Sequence, residues 1–132
     1  MNHWAFDLIG LPYEETEEGN CWGFVRRCFR EHCGITMPVI NVSESMPDNA
    51  FNRQAIRKVV EASGWYPTSA SEPKDMDIAL MWGAVGRHVG IIVKANSTMN
   101  LLHCERGQGV ILTQLRDLNL LGFHSLTYWR KK

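Results

Sequence analysis

Four cysteines and five histidines hold most of the nucleophilic and proton-handling capacity of this chain, and one cysteine is set apart by its position. Cys21, in Asn20-Cys21-Trp22-Gly23, stands where the acidic stretch "YEETEEG" gives way to an amphipathic helix. A thiol is a poor nucleophile until it loses its proton. The start of a helix favours the thiolate, because unpaired backbone N–H groups and the positive end of the dipole lie there. The same N–H groups can receive the oxyanion of an acyl-transfer intermediate. Cys28 and Cys33 follow on the apolar side of the helix, where core packing is expected and burial keeps a thiol inert. Position alone leaves two readings for Cys21, a nucleophile and a small core residue.

A nucleophile needs a base. His88 opens the apolar strand "HVGIIV", and His103 stands on the next candidate strand. A lone histidine at a strand mouth is most simply a satisfied core residue. Two on neighbouring antiparallel strands can work together, one ring contacting a thiol and the other fixing its tautomer. The register decides whether they meet. A turn centred at Ala95-Asn96 sets His88 opposite His103. One centred on Ser97-Thr98 puts His103 opposite Ile92, leaving the histidines about 13 Å apart along the sheet.

The other candidates carry weaker signals. Tyr13 can place a hydroxyl near the Cys21 backbone, or be an ordinary loop aromatic. Trp22 and Trp82 can line a groove, although core packing is their default. His3 and His32 read as surface residues, and His32 suits the negative end of the helix; His124 has no companion signal. Glu14, Glu15, Glu17 and Glu18 read as a solvated face. No Cys-x-x-Cys pair occurs. A zinc site would have to use the adjacent His103 and Cys104 with two earlier cysteines, a poor ligand geometry, so no metal is expected.

These residues must be positioned by a few elements. Trp4, Phe6, Leu8 and Ile9 suggest a short amphipathic helix over residues 3–10, closed by Gly10 and Leu11-Pro12. Cys21, Phe24, Val25, Cys28, Phe29 and Cys33 follow the helical period, with Arg26, Arg27, Arg30 and Glu31 on the other face and Gly34 as the stop. A second helix is expected over "AFNRQAIRKVVEASG", capped by Asp48 or Asn49, with "WYPTSASEPKD" as a loop. "DIALMW", "HVGIIVK", "NLLHCE", "GVILTQL" and "SLTYWR" read as strands. Helices first and an antiparallel sheet of about five strands second give an α+β fold. No repeat or composition break marks a second domain, so one domain over residues 1–132 is expected.

Composition excludes several partners. The 14 basic and 14 acidic residues balance to a net charge of zero, which supplies no basic field for nucleic acid or an anionic membrane. The longest apolar runs are too short to span a bilayer. "MNHWAFDLIGLPYEE" lacks the pattern of a signal peptide, so synthesis in the cytoplasm is expected. Without such a signal a disulfide framework is not expected either.

The order of motifs resembles the NlpC-type cell-wall cysteine peptidases, papain-like enzymes that cut peptide stems of bacterial peptidoglycan. The resemblance rests on "GLPYEETEEGNCWGFVRRCFREHCGITMP", "DMDIALMWGAVGRHVGIIV" and "LLHCERGQGV". It implies a papain-like fold and a triad of Cys21, His88 and His103, with Tyr13 assisting near the oxyanion, no cofactor and a stem peptide as substrate, cut at a D-glutamyl–diamino-acid bond. Asn20 stands where the family has Asp, a position that can bind the free amine of a stem peptide. Met76 replaces the usual Gly before Asp77, and the segment from Thr36 to Asp75 is longer than in minimal members and can shape the cleft. Trp22, the "LLHCERGQGV" ending and "TYWRKK" are most similar to small peptidases of bacteriophage tails. That implies other tail proteins as partners, and a route to the wall by the virion or by host lysis. Two rivals of other kinds share the fold: a non-catalytic tail-tip assembly protein and a thioester acyltransferase.

Overall fold

The computed structural model describes residues 4–14, 20–37, 58, 61–62, 64–68, 73–83 and 86–131. His3, Glu15, Glu17, Glu18 and most of the segment expected to shape a cleft lie outside the described residues. So does most of the second expected helix; Lys58, Glu61 and Ala62 within it are helical.

The apolar stripe read from the sequence folds as α1 (Cys21–Cys33). Asn20 begins it, its Oδ1 accepting from the Gly23 N–H at 2.8 Å, which satisfies one of the open donors of the first turn. Gly34 ends it in the left-handed conformation, φ 67°, where a glycine avoids the Cβ clash. The buried face presents Trp22, Phe24, Val25, Cys28 and Phe29. Each large side chain there contributes roughly 1.5–3 kcal/mol by leaving water. Cys33 departs from expectation. It is exposed, because residues 30–34, the last turn and its cap, all lie at the surface. The N-terminal helix is a single 3₁₀ stretch, Trp4–Leu8, burying Ala5 and Leu8; Trp4 stacks on His32 with ring centroids 4.1 Å apart.

The fold is α+β, with few helices and one antiparallel sheet, compatible with a papain-like arrangement. The sheet has six strands in the order β1-β6-β2-β3-β4-β5: β1 (Trp65–Pro67), β2 (Ile78–Gly83), β3 (Gly86–Ala95), β4 (Thr98–Glu105), β5 (Gly109–Gln114) and β6 (His124–Lys131). Five of these are the expected ones. The sixth, β1, corrects the loop reading of "WYPTSASEPKD": Trp65 pairs with Lys131 and Pro67 with Trp129. A three-residue edge strand ending in proline carries almost no period-two signal of its own.

Both faces of the sheet are covered. On one side Ile78, Leu80, Val89, Ile91, Val93, Leu102, Cys104 and Val110 pack with the buried stripe of α1 and with Trp65 and Trp129. On the other, Ala79, Met81, Ile92 and Leu101 pack under Leu118 and Phe123 from the 3₁₀ turns after β5. A part-buried fork ties β6 to the start of β2: the Arg130 Nε and Nη2 donate to Asp77 Oδ1 and Oδ2 at 2.9 and 2.8 Å. The Lys74 N–H also donates to Oδ2. Met76 beside it has φ 72°, the region open to glycine, which explains why a Gly suits this position.

Candidate active site

The β3–β4 hairpin turns at Asn96 and Ser97, both with positive φ (53° and 63°). This is the geometry of a two-residue type I′ turn. Asn100 braces it, its Nδ2 donating to the carbonyls of Val93 and Thr98. Ala95 therefore pairs with Thr98 and Ile91 with Leu102. This register falls between the two considered from sequence. One residue further along it, His103 stands across from Gly90 rather than from His88 or Ile92, so the histidines meet on the diagonal.

They meet closely. His88 Nε2 lies 2.8 Å from His103 Nδ1, with ring centroids 5.0 Å apart and planes at 78°. Both are buried, His88 with 3% and His103 with 0% of its surface exposed. Gly90 makes the close approach of the strands practicable, since a Cβ there would strike the Leu101 side chain and the Leu102 carbonyl. Burial, reinforced by the neighbouring His88, pushes the His103 pKa down to about 3, so this ring is neutral in ordinary buffers.

Two residues that sequence reasoning missed complete the surroundings. Phe123 stacks on His88 at 5.0 Å and meets His103 edge-on at 5.6 Å. His103 Nε2 lies 3.0 Å from Thr113 Oγ1. Thr113 is the diagonal neighbour of His103 on β5, because His103 pairs with Ile111. Its period-two place in "GVILTQL" was a signal that only a known register could use. Phe123 follows a left-handed Gly122 and gave none.

Cys21 is the first residue of α1, is 5% exposed, and shares a core cluster with Val89, Leu102 and Cys104, the chain neighbours of the two histidines. The helix packs against β3 and β4. All four cysteines are free thiols. Cys28 is disfavoured as a nucleophile, burial pushing its pKa up to about 12; Cys33 is also raised, by burial and then by Asp75.

The remaining candidates are placed as follows. Asn20 is buried and its side-chain oxygen caps α1. Trp22 is 2% exposed within the core, the packing role rather than a groove wall. The Tyr13 hydroxyl is buried, and the Arg106 guanidinium lies 5.8 Å from its ring centroid. Its segment is fastened to β5, Gly10 donating to Val110 and Val110 to Leu11 at 2.9 and 2.8 Å. His103 and Cys104, the adjacent pair a zinc site would have to use, point in different directions. The ring faces Phe123 and the thiol faces the α1 side, as adjacent strand residues must. Among the described residues no group of three His, Cys, Asp or Glu gathers as metal ligands, and no helix is long and apolar enough to cross a membrane.

The described residues thus include an antiparallel sheet bearing a buried histidine pair and, packed on that sheet, a helix that opens with a cysteine. No protein-family model matches the chain. The chain is similar to the murein DD-endopeptidase MepS/murein LD-carboxypeptidase of Escherichia coli strain K12, at 29% identity over 137 aligned positions. The corresponding proteins of strains O6:H1 and O157:H7 match equally. The alignment covers 100% of this chain and 57% of each relative, so the chain spans little more than half their length.

Proposed function

We propose that the protein is a cysteine peptidase that hydrolyses amide bonds in peptidoglycan stem peptides, with Cys21 as nucleophile, His88 as its base and His103 as the group that orients His88. The observation that carries this reading is the buried 2.8 Å contact between His88 Nε2 and His103 Nδ1. A neutral ring on one nitrogen of His88 leaves the other, Nδ1, to trade a proton with the thiol. That is the division of labour a thiol nucleophile needs. The placement of Cys21 at an open helix start supports the same role, as does the similarity to a murein endopeptidase.

The chemistry is acyl transfer. The Cys21 sulfur attacks the amide carbonyl carbon as its proton passes to His88. The oxyanion is held by the backbone N–H of Cys21 and by the Tyr13 hydroxyl. Collapse expels the amine, which takes the proton from His88. Water, deprotonated by His88, then cleaves the thioester and restores the thiol.

Two bonds fit the reading. The motif resemblance favours the D-glutamyl–diamino-acid bond of the stem, and the similarity to a murein DD-endopeptidase of E. coli favours a DD bond. Service in a phage tail, beside other tail proteins, is proposed on the motif resemblance alone. Digestion of purified sacculi, with the released muropeptides identified by mass spectrometry, tests the function and separates the bonds. Soluble products from the wild-type protein and none from Cys21→Ala are expected. Equal release by both would overturn the Cys21 assignment, and release by neither would return the chain to a binding role.

A further inference from the structure

We propose that Thr113 is a positioning residue: by accepting a hydrogen bond from His103 Nε2–H it fixes the tautomer of His103 that lets His88 carry a second proton. The inference rests on the proposed Cys21–His88 chemistry, but its first observable, the proton position on His103, does not.

Both ring nitrogens of His103 are engaged, Nδ1 with His88 Nε2 at 2.8 Å and Nε2 with Thr113 Oγ1 at 3.0 Å. A neutral imidazole has one N–H and one lone pair, whereas a hydroxyl can donate or accept. Two directions of the chain are therefore allowed. If Thr113 donated, His103 would carry its proton on Nδ1 and donate to His88 Nε2. His88 would then hold its only proton on Nδ1 and have no lone pair facing the thiol. If Thr113 accepts, His103 is protonated on Nε2 and its Nδ1 lone pair receives the His88 Nε2–H. His88 Nδ1 is then a base. Once it has taken the thiol proton, both its nitrogens are donors, and Nε2–H still has an acceptor.

His103 is fully buried, with His88, Phe123 and Thr113 against it, and burial disfavours a second proton on its ring. Its pKa of about 3 agrees with a ring that stays neutral. The hydroxyl is thus the outermost group of a line that crosses three strands, from β5 through β4 to β3.

The test combines spectroscopy and kinetics. In ¹⁵N-histidine-labelled protein near neutral pH, long-range proton–nitrogen correlation spectra should show His103 with a protonated Nε2 and an unprotonated Nδ1. Thr113→Val, which keeps the shape and removes the acceptor, should mix the two tautomers. It should lower kcat on sacculi about five- to tenfold, the worth of one neutral hydrogen bond, with KM little changed. Thr113→Ser should restore both. A proton found on Nδ1 in the wild-type protein would overturn the proposal. So would a Val variant with the wild-type tautomer and rate, or equal losses in the Val and Ser variants. If Cys21→Ala stays active, the Cys21–His88 reading fails while the tautomer measurement still decides the hydrogen-bond direction.

Discussion

Acidification should weaken this fold through one residue, and the size of the effect follows from its burial. His103 has an ordinary pKa of 6.5 and a folded value pushed down to about 3. Between those values the unfolded chain binds a proton that the folded chain refuses, so stability falls as pH falls. The contribution is fully present above about pH 6.5 and is lost progressively toward pH 3. Lowering pH from about 7 to about 5 should cost about 2 kcal/mol from this group. Because pH 5 lies well above the folded value, the unfolded histidine alone sets the size of that loss. Urea denaturation of the wild-type protein and of His103→Asn at both pH values isolates it, since the other titrating groups are common to both. The wild type should lose about 2 kcal/mol more than the variant over this interval. Parallel losses would show that His103 takes up its proton in the folded state and is not held neutral by burial.

Three further outcomes are expected. Iodoacetamide near neutral pH should label Cys21 first, with Cys28 held near a pKa of about 12 and Cys33 raised; peptide mapping that finds Cys28 or Cys33 ahead would remove the nucleophile assignment. Arg130→Met should destabilise the fold, because a carboxylate 2% exposed loses its fork and keeps an uncompensated charge; a second change, Asp77→Asn, should recover part of that in urea melts. Asn20→Asp keeps a cap for Gly23, so its melting point should barely move, but a carboxylate beside Cys21 can pair with a free ammonium. Its ratio of rates on free tetrapeptide and intact sacculi should rise, and an unchanged ratio would detach residue 20 from substrate choice.

Local pattern revealed most of the fold. α1 was legible because five buried positions, Cys21 to Phe29, repeat at helical spacing and end on a glycine. Five strands were legible from alternation and apolar runs. β1 was not, since Trp65–Pro67 becomes a strand only by pairing with β6, a partner more than sixty residues away in the chain. The same distinction holds at the site. The residue types of Cys21, His88 and His103 could be singled out by position. Whether the two histidines touch depended on the hairpin turning at Asn96-Ser97, one residue from either alternative. Cys33 shows the opposite failure, a residue with the right period on a turn that runs out past the core.

The Asn96-Ser97 turn has a consequence for anyone wishing to alter the protein. It is exposed, polar and eight residues from His88, about 25 Å along an extended strand. By those measures it would be an obvious place to graft an epitope or a label. Yet a two-residue turn is also the gauge that holds β3 and β4 in step. A one-residue slip would send the rings of the slipped strand to the opposite layer. A foreign segment placed there would release that gauge, so a remote and harmless-looking insertion should silence the site while leaving most of the secondary structure standing.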